Sequence, residues 1–259
     1  MPQVDLNCDM GESFGVYTIG MDEQVIRHIT SANIACGFHA GDPRVLDRTV
    51  KLAADFGVAV GAHPGFPDLQ GFGRRSMECT LDEIRAYVVY QIGAVQAFCS
   101  VHGVKLQHVK AHGSLYNMSV KDGGIARAIV EGVAMVDESL ILVTLAGKSA
   151  ELMERIGAEV GLRIAFEAFP DRAYTPEGVL ADRRLPGALI EDVAEVAQRA
   201  VRMVTEGRVL AMDGTPLPVR VHTLCVHGDS PGALDAVTRI REVLEKEAVE
   251  VLPMGRILF

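Results

Sequence analysis

Short apolar runs rich in Val, Ile, Ala and Leu recur near Val4, Ala32, Val58, Leu106, Leu140, Arg163 and Thr223, and they predict seven strands. Between them, apolar residues at helical spacing predict helices at about 21–30, 121–135, 147–157 and 188–206. Three more helices carry start signals. Asp42 before Pro43, and Ser230 before Pro231, each set an N-cap ahead of proline at the first helical position, with ends expected near Gly57 and Lys246. Thr80 and Glu83 form a capping box for a long helix closing near Gly103. Seven strand-helix alternations predict an α/β chain forming one seven-stranded β/α barrel, a single domain over residues 1–259. Two segments interrupt the pattern. Residues 171–187, rich in Pro, Gly, Arg and Asp, read as a long active-site loop or lid, and residues 209–221, with Asp213-Gly214, as a small hairpin.

The strand runs end in clusters of Asp, Asn, His, Ser and Gly: LNCDMGESFG from Leu6, NIACGFHAGD from Asn33, VAVGAHPGFPD from Val58, HVKAHGSLYN from His108, RIAFEAFPDRAY from Arg163 and TLCVHGDSPG from Thr223. A β/α barrel builds its active site from such strand ends, so the pattern predicts an enzyme. Asp5, Asn7 and Asp9 alternate with Leu6 and Cys8 and share one face of the first strand. Asp5 is expected in a hydrogen-bonded network near the barrel floor, and Asp9 in the site. Glu12 is a weaker candidate for the site, because the Gly-rich turn that follows it leaves open a solvated position. His39, His63 and His112 stand at equivalent strand ends beside glycines, which favours a shared function over three structural histidines. Lys110 shares the face of His112 and is expected to pair with a carboxylate such as Asp9 or to bind an anionic substrate. Asp171 and Arg172 read either as a carboxylate and a guanidinium fork for a substrate carboxylate or as a surface pair, and Arg74 and Arg75 likewise. His227 and Asp229 end the seventh strand, Asp229 with helix capping as its alternative. His28, His102, His108 and His222 read as structural or surface residues.

Composition narrows the partners. At 259 residues, 49% hydrophobic, the chain can bury one large core. Its net charge of -9 is spread along the sequence without a Lys/Arg stripe, which argues against nucleic acid, and no apolar run reaches the ~18 residues of a membrane span. A signal-peptide start is missing, so a cytoplasmic protein is expected. Five cysteines without metal-type spacing predict no disulfides. Gly147-Lys148-Ser149 follows a strand and opens a helix, as a phosphate loop does, but Leu142 stands where the first glycine belongs.

The phrases LNCDMGESFG, SANIACGFHAGDP, VGAHPGFPD, GFGRR, VKAHGSLYN, FEAFPDRAY and LCVHGDSPGA resemble the LamB/YcsF family over nearly the whole chain. The resemblance implies a barrel of the glycoside hydrolase/deacetylase type. It also implies the A subunit of a bacterial 5-oxoprolinase, which opens the lactam of 5-oxoproline to L-glutamate, with ATP and Mg2+ as co-substrate and subunits B and C as partners. The roles it suggests are Asp9 or a neighbouring histidine (His39, His63) as base for water, Lys110 and His112 at the developing oxyanion, and Arg172 on the substrate carboxylate. Glu12, Asp171 and His227 complete the expected substrate contacts. A more distant similarity to the YdjC-type deacetylases implies a divalent metal on Asp9, His63 and His112, and with it an alternative function as a metal-dependent hydrolase of small N-acyl substrates, the metal activating water. A further alternative is a non-catalytic substrate-binding subunit.

Overall fold

The computed structural model describes residues 1–148, 150–226 and 232–258. In chain order the first half comprises β1 (Gln3–Met10), α1 (Asp22–Val25), β2 (Ser31–Ala35), α2 (Pro43–Phe56), β3 (Ala59–His63), α3 (Leu81–Val101), β4 (Leu106–Lys110), α4 (Gly113–Ser119) and α5 (Gly123–Val136). There follow β5 (Ile141–Leu145), α6 (Ala150–Val160), β6 (Arg163–Ala168), α7 (Val193–Thr205), β7 (Arg208–Leu210), β8 (Pro216–Pro218), β9 (Thr223–Val226), α8 (Ala233–Lys246), β10 (Glu250–Val251) and α9 (Met254–Ile257).

Strands β1 to β6 pair in chain order, all parallel, and β9 bridges β6 and β1 to close the expected seven-stranded barrel. The expected hairpin is the antiparallel pair β7–β8, and β10 adds a two-residue edge to β1. Two of the three capping signals operate as read, whereas α8 begins at Ala233 with Gly232 as its N-cap. Asp42 accepts from the backbone N–H groups of Arg44 and Val45, and the Thr80–Glu83 box opens α3. Two helices start later than their apolar spacing suggests, α7 because Asp192 caps it and α6 at Ala150. The helix expected at 21–30 is only one turn of α1 followed by a 3-10 turn, Ile26–His28. Helix α4, seven residues long, is too short to show a period and has no counterpart in the sequence reading. Ser149, His227, Asp229, Ser230 and Pro231 lie outside the described residues. Among the described residues no helix is long and apolar enough to cross a membrane.

The outward strand faces, with Leu6, Ile34, Val60, Val109 and Leu142, pack into one apolar core beneath the helices. The lumen is polar. Asp5, Asn7, Ser31, Asn33, His108, Lys110, Glu167 and Thr223 are all buried, a costly arrangement unless each group is partnered. The partners are present at the floor. Asp5 Oδ1 accepts from Ser31 Oγ (2.6 Å) and Thr30 Oγ1 (2.8 Å), and its Oδ2 from Thr223 Oγ1 (2.5 Å). Burial nevertheless outweighs these bonds and pushes the Asp5 carboxyl up from 3.8 to about 6. Because the folded value exceeds the unfolded one, this group's contribution is fully present below pH ~4 and is lost as pH rises through ~6, a change of about 3 kcal/mol. Asp5→Asn removes that titration. Urea unfolding at pH 4.5 and 7.5 is therefore expected to show the variant gaining on the wild type as pH rises; a constant difference would contradict the reading.

Candidate active site

Closure of the barrel brings the strand ends to one mouth. Glu12 follows β1, His39 follows β2, His63 ends β3 and His112 follows β4. One ligand-type atom from each of these four buried residues lies within 4.8 Å of the other three, a group able to hold a metal ion. His39 Nε2 is 3.4 Å from Glu12 Oε1, and His112 Nδ1 is 3.8 Å from the same oxygen. The His39 and His112 rings stack with centroids 3.7 Å apart. Glu12, the weaker of the two candidates from the first strand end, joins the group. Gly11, with φ +68°, turns the chain back and donates its N–H to Asp22 Oδ2, so Glu12 is buried rather than solvated.

The tautomers of two histidines follow from their outer contacts. His63 Nδ1 lies 2.6 Å from Lys110 O, and His112 Nε2 lies 2.8 Å from Phe72 O. A carbonyl only accepts, so both of these nitrogens carry the proton. In the neutral rings this leaves His63 Nε2 and His112 Nδ1 as lone pairs facing each other at 3.0 Å. Two acceptors so close require a cation, either an added proton or a metal ion. Burial, with His63 beside it, pushes the His112 imidazole well below its ordinary value, which disfavours the proton. His39 is shifted the same way by burial and by His112 and His63, and neither of its ring nitrogens makes a hydrogen bond. Three imidazoles and a carboxylate are a donor set of the kind zinc takes.

Asp9 lies beside this group rather than in it, which differs from the expected set of Asp9, His63 and His112. Its Oδ1 accepts from Lys110 Nζ (3.0 Å) and Asn33 Nδ2 (2.8 Å), while Oδ2 lies 3.3 Å from His63 Nε2. Lys110, buried in the lumen, also meets Glu167 Oε1 at 2.9 Å and Cys225 Sγ at 3.0 Å. Burial alone would depress its ammonium, but Asp9, Cys225 and Glu167 outweigh burial and hold it well above the ordinary lysine value. The expected pairing of Lys110 with a carboxylate is thus doubled. Glu167, Asn33 and Tyr116 were not singled out in the sequence; an acid inside the apolar run RIAFEAF is the signal that points to the first of them. His108, read as structural, is buried and lies 2.8 Å from Asn33 Oδ1. Gly61 makes room for its ring, since a Cβ there would stand 2.0 Å from His108 Nε2.

Arg172 is buried in the loop after β6. Its Nη2 donates to Ala181 O at 2.6 Å, and burial, then the nearby Arg183, push its guanidinium down to about 10. Arg74, exposed on the loop after β3, adds its positive charge to the burial that depresses His39, His112 and Arg172, so its field links that loop to the mouth. Asp171 adjoins Arg172 and favours its charged form. Arg75 is committed elsewhere, to Asp68. Cavities of about 610 and 540 Å3 lie between α7 and α8 and beside the β7–β8 hairpin, lined by none of the mouth residues.

The loop carrying Phe72 is packed tightly on the histidines. Gly73 has φ +61°, and a Cβ there would stand 2.7 Å from His39 Cβ and 2.9 Å from His112 Cδ2. Gly73→Ala is expected to cost about 1–3 kcal/mol of stability by overpacking and to displace both rings. A thermal melt and a crystal structure check this; unchanged rings would contradict it.

A closed parallel barrel with ionisable residues from successive strands gathered at its C-terminal mouth has the architecture of a TIM-like barrel enzyme. Within that class the chain belongs to the LamB/YcsF family, whose model matches residues 4–258. A Pyrococcus abyssi protein, named for the A subunit of 5-oxoprolinase, is 56% identical over 252 residues, covering 97% of this chain and 98% of the relative. One of the same name from Alkaliphilus metalliredigens is 52% identical over 258 residues, 100% of both. The crystal structure of the lactam utilization protein of Thermus thermophilus superposes with a TM-score of 0.90 at 48% identity, covering 96% of this chain and 99% of that one.

Proposed function

We propose that this chain is the A subunit of an ATP-dependent 5-oxoprolinase, which opens the lactam of 5-oxo-L-proline to L-glutamate in a complex with subunits B and C. The observation that carries the reading is the mouth itself, where Asp9 abuts a four-residue histidine and carboxylate cluster in a barrel with relatives of that name at 50 to 56% identity. A five-membered lactam is resonance-stabilised, so coupling to ATP supplies the driving force. Transfer of the γ-phosphoryl group to the lactam oxygen, with Mg2+ on the nucleotide, releases ADP and the N–H proton and gives an imidate phosphate. Water adds to its carbon, the ring C–N bond breaks with the nitrogen taking a proton to leave γ-glutamyl phosphate, and a second water cleaves that acyl phosphate to L-glutamate and inorganic phosphate.

In this reading Asp9 accepts the proton of the attacking water, and Arg172, with Asp171 beside it, holds the substrate carboxylate. His227 remains a proposed contact of the substrate. Lys110 points its N–H groups at Asp9, Glu167 and Cys225, and His112 gives its N–H to Phe72 O. Both therefore organise the mouth rather than donate to an oxyanion. Glu12, His39, His63 and His112 would hold a divalent metal, which when bound supplies Lewis-acid polarisation of the substrate and lowers the pKa of water. The facing lone pairs of His63 and His112 favour that ion and also support a second reading, a metal-dependent hydrolase of small N-acyl compounds acting alone.

Glutamate release from 5-oxoproline, by this chain alone and with subunits B and C, with and without ATP and Mg2+, separates the readings. Turnover only in the full mixture is expected. Hydrolysis of N-acylated substrates by the chain alone, with none of 5-oxoproline in any mixture, would replace the first reading by the second.

A further inference from the structure

We infer that Glu167 is the residue that positions Asp9, acting through Lys110. The inference rests on the reading of Asp9 as the base. Glu167 ends the run of β6 inside the lumen and has no exposed surface. Its Oε1 accepts from Lys110 Nζ (2.9 Å) and Asn7 Nδ2 (3.0 Å), and its Oε2 from Tyr116 Oη (2.9 Å). Both oxygens are therefore engaged by the protein, and Glu167 works as an anchor.

Two routes run from that anchor to Asp9. Lys110 spans directly from Glu167 Oε1 to Asp9 Oδ1. Asn7, held by Glu167 through its Nδ2, accepts from Asn33 Nδ2 at 2.7 Å on its Oδ1, and that same Asn33 nitrogen reaches Asp9 Oδ1 at 2.8 Å. Both routes converge on one oxygen of Asp9. The carboxylate is thereby oriented with Oδ2 toward His63, at 3.3 Å. A buried lysine would otherwise be free to settle on whichever acceptor lay nearest; a second fixed carboxylate on its far side pins the ammonium in place. Lys110 Nζ also lies 5.4 Å from the centre of the Phe169 ring, which closes that side of the lumen.

Glu167→Gln keeps the shape and removes the charge. Loss of a partner that orients a functional group typically costs ~10–100-fold. In the complex with subunits B and C, kcat for 5-oxoproline is expected to fall by that factor with KM within about threefold. In a Lys110→Met background the same substitution is expected to change kcat by less than about twofold, because the lysine route, the one that needs the Glu167 charge, is gone while a glutamine Oε1 still accepts from Asn7 Nδ2 and keeps the second route. A crystal structure of Glu167→Gln should show Lys110 Nζ withdrawn from Asp9 Oδ1 or the Asp9 carboxylate rotated, and this result does not depend on any activity. Absence of lactam turnover by the wild-type complex would count against the functional reading while leaving the crystallographic test standing. Should Glu167→Gln fail to fold, Tyr116→Phe removes one donor to Oε2 and is expected to act in the same direction more weakly. Unmoved Lys110 and Asp9 in the variant structure, or equal loss of kcat in both backgrounds, would overturn the inference.

Discussion

Asp9→Asn is expected to lower kcat for 5-oxoproline in the assembled complex by about 10²–10⁴-fold, the range typical of losing a general base. The variant should fold. An amide oxygen in place of Oδ1 still accepts from Lys110 and Asn33, and the amide NH2 in place of Oδ2 faces the lone pair of His63 Nε2 and donates to it. Shape and hydrogen bonds are kept while charge and basicity are lost. The thermal midpoint is expected to move by only a few degrees, so any loss of turnover reports chemistry. Wild-type turnover by Asp9→Asn would remove Asp9 from the mechanism and leave the histidines as the bases to examine.

The second large effect concerns the cation. An ion that binds only the folded chain stabilises it by about 2.7 kcal/mol at one hundred times its dissociation constant. Purified without a histidine tag and stripped by chelation, the wild type is expected to regain thermal stability on addition of zinc or another divalent ion. His63→Ala and His112→Ala should each abolish that gain, since each removes one of the two lone pairs that face at 3.0 Å. His102→Ala, far from the mouth and paired with Asp47, should retain it. Equal stabilisation of all four proteins would mean that the ion binds elsewhere.

The strands were readable because a barrel wall alternates apolar outward residues with polar lumen residues, as Leu6 and Cys8 do with Asp5, Asn7 and Asp9. Asp9, Lys110 and the three histidines were readable because they stand at equivalent strand ends. Which of them touch depends on closure, and residues 49 apart such as His63 and His112 meet only when β3 and β4 pair. Glu12 ranked below Asp9 for a local reason, since its burial depends on the left-handed Gly11 that folds the turn back into the protein. Glu167 was overlooked because its partners Asn7, Lys110 and Tyr116 come from three distant segments, and no local pattern announces them. Helix α4 was missed because it spans two turns directly after a strand.

Anomalous X-ray scattering from crystals of the tag-free protein, collected across the absorption edges of the first-row metals, tests most directly whether this mouth is built around a cation. The expected result is one peak bonded to His63 Nε2 and His112 Nδ1, lost with glutamate release on chelation and restored with it. No peak at these atoms, together with full activity of the chelated complex, would contradict the account.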